Sequence, residues 1–497
     1  MAIRRFKAIK DNTITNAFKE NLTTRGTGSN MGEADVLEVF SIYAQSTTSS
    51  SELSRILIEF DISAVSASRN SGDIPASGSV DFYLRMYNTE HSSTTPTNFT
   101  LTVAAISQSW EEGSGLDMDN YSDADVSNYI SASTGVKWTT FHGDTEGGSF
   151  HTGSEAVTSS QFFQTGVEDM EVEVTRHVEE WLNNKTGSYG FGIFLSSSLE
   201  TASRSYYTKK FFARDSQFVL KRPTIEARWN DARTDDTSNF YLSSSRAPAA
   251  DNLNTLYLYN YVRGQLQDVP DLGSEDKIYV SVYSGSNSAP TGSKITLPIG
   301  GGVVTNNDNN VTGSKVSTGI YSASFAYTSS AITEIYPVWH SSSTEYLTAS
   351  AITVNTFPVQ NSYPIKNYKT SMPSLQAEYA ANDVVNFRVF TQDKNYQANI
   401  FTVASTAVTP SIIEKMYYKI GRVVDEEVVV EYGTGSGNAS YSQLSYDASG
   451  SYFDFDISIL EPDFSYQISY LVYEGGNYLE LKDKFNFRVI DENDLPG

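Results

Sequence analysis

A period of two returns along the whole chain and constrains its fold more than any other feature. In Val80-Asp81-Phe82-Tyr83-Leu84-Arg85-Met86 alternate residues are apolar, while Arg55-Ile56-Leu57-Ile58-Glu59-Phe60 and Phe99-Thr100-Leu101-Thr102-Val103 are short runs of similar length. Clusters of Ser, Thr, Asn or Gly close each run. Side chains two apart share one face of a strand, so such runs build sheets with a buried face. Tyr (32) and Phe (26) far exceed Trp (5), and only 19% of residues are charged, a composition that favours strands over helices. The fold class expected is all-β. At 497 residues the chain exceeds the size at which one hydrophobic core stops growing, which points to about three domains.

The pattern breaks at Asn230-Asp231-Ala232-Arg233-Thr234-Asp235-Asp236-Thr237-Ser238, a polar stretch that reads as the first boundary. Alternation resumes at Thr255–Tyr261, Lys277–Tyr283 and Gly319–Phe325. Phe357-Pro358 and Tyr363-Pro364 then punctuate the chain before new runs at Val384–Phe390 and Tyr466–Tyr473. The expected domains are therefore 1–232, 233–355 and 356–497. The second and third suit immunoglobulin-like sandwiches, each ending in a long alternating strand, Glu345 to Val354 and Lys484 to Ile490. Gly300–Gly302 and Asn306–Asn310 fit an exposed hairpin or loop. The single helix expected is Thr175–Leu182, with Val178, Trp181 and Leu182 on one face and Thr175 as its cap.

Net charge of −24 repels phosphate backbones, which excludes nucleic acid as a partner. No apolar run reaches the roughly 18 residues of a membrane helix, so no membrane partner is expected either. Absence of cysteine excludes disulfides, thiolate metal sites and thiol nucleophiles. Met1-Ala2-Ile3-Arg4-Arg5-Phe6-Lys7 lacks the apolar core of a signal peptide, and the expectation is a protein made in the cytoplasm.

Residues that could carry chemistry are few. His91, His142, His151, His177 and His340 fall in no catalytic or metal-binding spacing, and His177 reads as a surface or half-buried structural residue. Asp169, Glu171 and Glu173 alternate with Met170, Val172 and Val174, so they would line one strand face about 7 Å apart, a glycosidase-like separation. An ordinary half-buried strand shows the same pattern, and no catalytic residue is assigned. In Asp117-Met118-Asp119-Asn120-Tyr121-Ser122-Asp123-Ala124-Asp125 the alternating donors Asp117, Asp119, Asp123 and Asp125 suit Ca²⁺, though without the Gly and Glu of an EF-hand. A solvated acidic loop is the other reading. No further cofactor is expected.

Several segments of residues 1–232 resemble the DNRLRE domain, a jelly-roll module related to carbohydrate-binding modules. Ala8-Ile9-Lys10-Asp11-Asn12-Thr13-Ile14 is similar to its first strand, and Arg55–Ser63 to its Arg-Leu-Leu-x-Phe-Asp-Leu-Ser signature. Ser109-Trp110-Glu111-Glu112-Gly113 resembles the Trp-x-Glu-Gly turn, and Val172–Leu182 the Asp-Val-Thr-x-x-Val-x-x-Trp segment, with Glu173 where Asp is usual. Lys210–Ser216 and Arg222–Trp229 resemble its closing strands, with Arg214 and Asp215 forming an ion pair at a strand end. The resemblance implies an N-terminal jelly-roll β-sandwich followed by the two immunoglobulin-like β-sandwiches. Without an export signal, it further implies a bacteriophage virion protein of the neck, collar, capsid exterior or tail, not an enzyme. Its partners would be other virion proteins, further copies of itself and a host surface glycan. A glycan-binding adhesin and a polysaccharide-degrading spike are the alternatives, and exposed Trp110 and Trp138 would favour the adhesin.

Overall fold

The computed structural model describes residues 2–491 apart from 45–49, 91–95, 119–125, 140–145, 152–156, 271, 273–276, 286–293, 298–309, 342–343, 357–365 and 396–409. The chain is all-β, with 45% of residues in strands and 9% in helices.

From residue 3 to 228 the elements are β1 (Ile3–Thr15), β2 (Val36–Tyr43), β3 (Ser51–Phe60), α1 (Ile62–Ser71), β4 (Asp81–Met86), β5 (Phe99–Ala105), β6 (Ser131–Ser133), β7 (Val136–Lys137), β8 (Thr158–Phe163), β9 (Met170–Glu173), α2 (Thr175–Leu182), β10 (Phe191–Leu195), α3 (Ser197–Glu200), β11 (Tyr206–Phe212) and β12 (Thr224–Arg228). Strand β1 belongs to two sheets. Its first half pairs with β12 and continues through β4 to β9, and after an irregularity between Ala8 and Lys10 its second half pairs with β3. From β3 the second sheet runs through β10 and β5 to β8, with β2 and β11 branching off β3. A bulge of this kind bends a strand and lets it turn a sandwich corner. Between the sheets Ile56, Ile58, Leu101, Val103, Phe191 and Ile193 meet Phe82, Leu84, Ile225 and Ala227 in one core.

The second sheet is buried on its outer face as well. There Ile14, Leu57, Ala104 and Phe194 pack beneath Trp110, Ala132, Trp138 and Phe150 of the long loop that joins β5 to β8. This explains why β10, Phe-Gly-Ile-Phe-Leu, is apolar at every position and buried throughout. Gly192 is required in it: a Cβ there would stand 1.9 Å from the Phe150 ring.

Two helical expectations need correction. A ten-residue helix, α1, forms outside 175–183, started by Asp61, whose Oδ1 accepts the Ser63 N–H at 2.9 Å, and ended by Gly72 at φ 84°. Helix α2 has the expected bounds, but its N-cap is Val174; Thr175 Oγ1 instead accepts the Phe82 N–H at 2.9 Å, tying the helix to β4.

Further along, seven strands from Asn254–Tyr259 to Ile352–Thr353 pair in one antiparallel series around Phe240, Val280, Tyr321 and Trp339, and Tyr261–Val262 with Gln265–Leu266 forms a separate hairpin. The expected long strand from Glu345 is broken into Glu345–Thr348 and Ile352–Thr353, both paired with Glu334–His340. Gly300 to Asn309 lies outside the described residues, while Asn310 is buried. Residues 368–490 form two facing sheets. One contains Val384–Asp393 and Gly450–Asp456, and the other Met416–Arg422, Ser465–Glu474 and Phe485–Ile490. Tyr418 stacks on Phe453 between them at 4.1 Å.

The core of 368–490 is continuous with that of the N-terminal sheets, whereas the middle strands enclose a core of their own. The stretch read as the first domain boundary is hydrogen-bonded to the last third of the chain. Arg233 N–H donates to Ser445 Oγ at 2.9 Å, Tyr446 N–H to Arg233 O at 2.9 Å, Asp235 N–H to Tyr446 O at 3.2 Å, and Tyr446 Oη–H to Asp236 Oδ1 at 2.6 Å.

Candidate functional site

Segments far apart in sequence converge on a polar joint at the edge of the second sheet. Asp11 N–H donates to Glu112 Oε1 at 2.7 Å, and Arg214 N–H donates to Asp11 Oδ2 at 2.6 Å. The Arg214 guanidinium reaches Glu112 at 3.1 and 3.2 Å and Asp215 at 2.9 Å. Asn12 donates to Ser127 O at 3.0 Å, and Asn30 donates to Glu112 O at 2.6 Å and accepts from Gly115 N–H at 2.8 Å. The joint anchors the covering loop to β1. Burial pushes the Asp11 carboxyl up to about 7, and Glu112 and Asp215 push the same way against the Arg214 N–H and guanidinium. Fully buried, Asp11 has no route to a substrate.

A second array covers the outer face of the first sheet, where it meets residues 368–490. Glu226 is 0% exposed and receives Arg228 Nε at 2.6 Å and Arg5 Nε at 2.7 Å, with Arg85 Nη1 at 3.7 Å. Arg228 also reaches Glu171 at 2.7 Å and lies between the rings of Tyr83, at 4.4 Å, and Tyr441, at 4.9 Å. Arg5 Nη2 donates to Val429 O across the joint, and Lys221 pairs with Glu427 at 3.3 Å. Burial opposes the Glu226 charge, yet Arg5, Arg228 and Arg85 together hold its carboxyl down at about 2. Such satisfied charges fix geometry.

Against this frame the sequence candidates sort themselves. Glu171 and Glu173 do share the exposed face of β9, but Glu171 is bound to Arg228 and lies 3.6 Å from Arg85, and Asp169 Oδ1 accepts the Asn88 N–H at 2.7 Å. His177 is fully buried rather than at or near the surface; its Nε2 contacts Val157 O at 3.0 Å and its ring meets Phe191 edge-on. His340 Nε2 lies 2.7 Å from Ser281 Oγ, a Ser–His contact, but Ser281 is buried and its hydroxyl also meets Asn310. His151 is half-buried; His91 and His142 lie outside the described residues. Asp117 lines a surface groove of about 470 Å³ with Glu33, Asp35, Glu38 and Lys210, while Asp119, Asp123 and Asp125 lie outside the described residues. Among the described residues no group of three or more His, Asp or Glu is arranged to hold a metal ion. Trp110 and Trp138 are buried, with Nε1 donating to Tyr189 O at 2.9 Å and to Asn128 O at 2.8 Å, so neither ring is open to a sugar. No helix is long and apolar enough to cross a membrane among the described residues.

The Arg214–Asp215 pair was legible from adjacency. The Glu226 array was not, because its members come from four strands and only their alternation marks them.

No family model matches the chain. No curated protein matches it either. Among solved structures, the chain is similar to the N-terminal Ig1-2 module of the Drosophila receptor protein tyrosine phosphatase DLAR, at 7% identity over 49% of this chain and 96% of that one, with a TM-score of 0.14. Native E. coli alpha-2-macroglobulin aligns at 9% identity over 97% of this chain and 26% of that one, with a TM-score of 0.16. The chicken CNTN1 FN1-FN3 domains align at 9% identity over 82% and 98%, with a TM-score of 0.13. At such scores these likenesses carry no argument about fold or function.

Proposed function

We propose that this chain is a non-catalytic structural protein of a bacteriophage particle, with an N-terminal jelly roll over 1–232 and immunoglobulin-like sandwiches over 233–355 and 356–497. The observation that carries the reading is the Glu226 array. Three guanidiniums and two carboxylates pair within the first sheet, and two of these arginines reach on to Val429 and Tyr441 of the last third, as expected of a part whose task is to hold shape. The convergence of Asp11, Glu112 and Arg214 on one joint gives the DNRLRE-like segments a common structural purpose. Other virion proteins and further copies of the chain are the proposed partners. Mass spectrometry of purified particles tests the location, and absence from virions rejects it. Assays on bacterial polysaccharides and peptidoglycan test the lack of catalysis; turnover abolished by Glu171→Gln or Glu173→Gln would overturn it.

A further inference from the structure

Lys209, on β11, is a fully buried lysine whose three donors are all used. Nζ donates to Asn88 Oδ1 at 2.6 Å, Glu168 O at 2.7 Å and Gly166 O at 2.9 Å. The rings of Phe163 and Phe211, both buried, stand 5.0 and 5.2 Å from it. Asn88 follows β4 and bridges to Phe211, so the contact joins the first sheet to the second.

We propose that Lys209 and Asn88 condense into an intramolecular isopeptide bond. The carbonyls of Gly166 and Glu168 hold two of the N–H bonds and the third points at Asn88 Oδ1; once that proton leaves, the amine must turn its lone pair from the oxygen to the adjoining Cγ. With Oδ1 in hydrogen-bond contact, Cγ lies within about 4 Å of Nζ, close to the separation of a near-attack arrangement. Burial pulls the ammonium down to about 8, against the pull of Glu168 and Asp169, and so enlarges the neutral fraction.

The step balances without an oxidant or reductant. The ammonium gives up one proton to water; the Glu168 atom that touches Nζ is the backbone oxygen, and the carboxylate acts on Nζ only through its charge. Neutral Nζ then attacks Cγ and the Nζ–Cγ bond forms. The Cγ–Nδ2 bond breaks, and Nδ2 leaves as ammonia with one proton taken from Nζ. Several backbone N–H groups overcome the effect of burial and hold the Glu168 carboxyl down at about 2. A carboxyl held so low takes no proton from this ammonium, so the proton leaves to water and the reaction is slow. The product is a covalent strut between sheets in a chain that has no cysteine to make one.

The test is the intact mass of the full-length folded protein, measured after incubation and denaturation. A mass about 17 Da below that of the sequence, with a linked peptide pair containing Asn88 and Lys209, is the expected result. Lys209→Arg should restore the full mass; loss of ammonia that survives it is a succinimide at an asparagine and overturns the proposal. Asn88→Asp keeps the shape and should lose about 18 Da, since water then leaves in place of ammonia. Wild-type protein that keeps its full mass after days in the folded state also overturns the proposal.

Discussion

Replacing Glu226 by Gln removes one charge from a site with no access to water, and the cost follows from its surroundings. The carboxyl is held near 2 against an ordinary 4.5, a shift of roughly 2.5 pH units, or about 3 kcal/mol of favourable interaction with Arg5, Arg228 and Arg85. The amide keeps the volume but leaves three guanidiniums facing one another. Arg228 retains Glu171 and Arg5 retains the Val429 carbonyl, so the expected loss lies at the lower end of the range for breaking a buried pair, about 3 kcal/mol. Because the folded-state value is depressed, the stabilisation is complete above 4.5 and disappears as pH falls towards 2. Urea unfolding of wild type and Glu226→Gln at pH 7 and at pH 3 reads both quantities. A difference below about 1 kcal/mol at pH 7, or one that does not shrink at pH 3, would refute the account of this array.

Gly192→Ala should destabilise by about 2–4 kcal/mol because its methyl enters the Phe150 ring, and Phe150→Ala in the same chain should recover part of the loss; strictly additive melting shifts would argue against that contact. Asp11 has a raised folded-state value, so its ionisation costs stability as pH climbs from about 4 to about 7. Asp11→Asn should therefore gain on wild type by roughly 2 kcal/mol between pH 5 and pH 8 in unfolding titrations, and a gain in the opposite direction would be fatal. Limited proteolysis should spare 233–236 until the rest of the joint opens, since its backbone is paired with Ser445 and Tyr446; early cutting there would contradict the pairing.

Strands announced themselves because their signal is local: Val80–Met86 and Phe99–Val103 alternate, and both pair as strands. Helix α1 did not, because Ile-Ser-Ala-Val-Ser-Ala-Ser-Arg-Asn-Ser offers little apolar periodicity and its signals are only the terminal Asp61 and Gly72. Trp110, Trp138, Trp181 and Trp229 could be named as anchors from size alone, and all four are buried. The covering loop was invisible as structure: its residues have no strand period, and their value lies in meeting Leu57 and Phe194, far away in sequence. Charge was misleading in the same way, since Glu171 looks identical in sequence whether it faces a substrate or Arg228.

The shared core of the first and last thirds has a consequence for synthesis. Every strand of the N-terminal sheets has emerged by Arg228, but the Val429 and Tyr441 that cover Arg5 and Arg228 come some two hundred residues later. At about 5–20 residues per second the ribosome leaves that sheet face bare for roughly ten to forty seconds. During this interval the nascent chain presents half of an interface to its surroundings, with the charged array at its centre. Its guanidiniums keep that face hydrated while it waits, whereas an apolar replacement of the array would give a surface that binds other nascent chains before its own partner arrives.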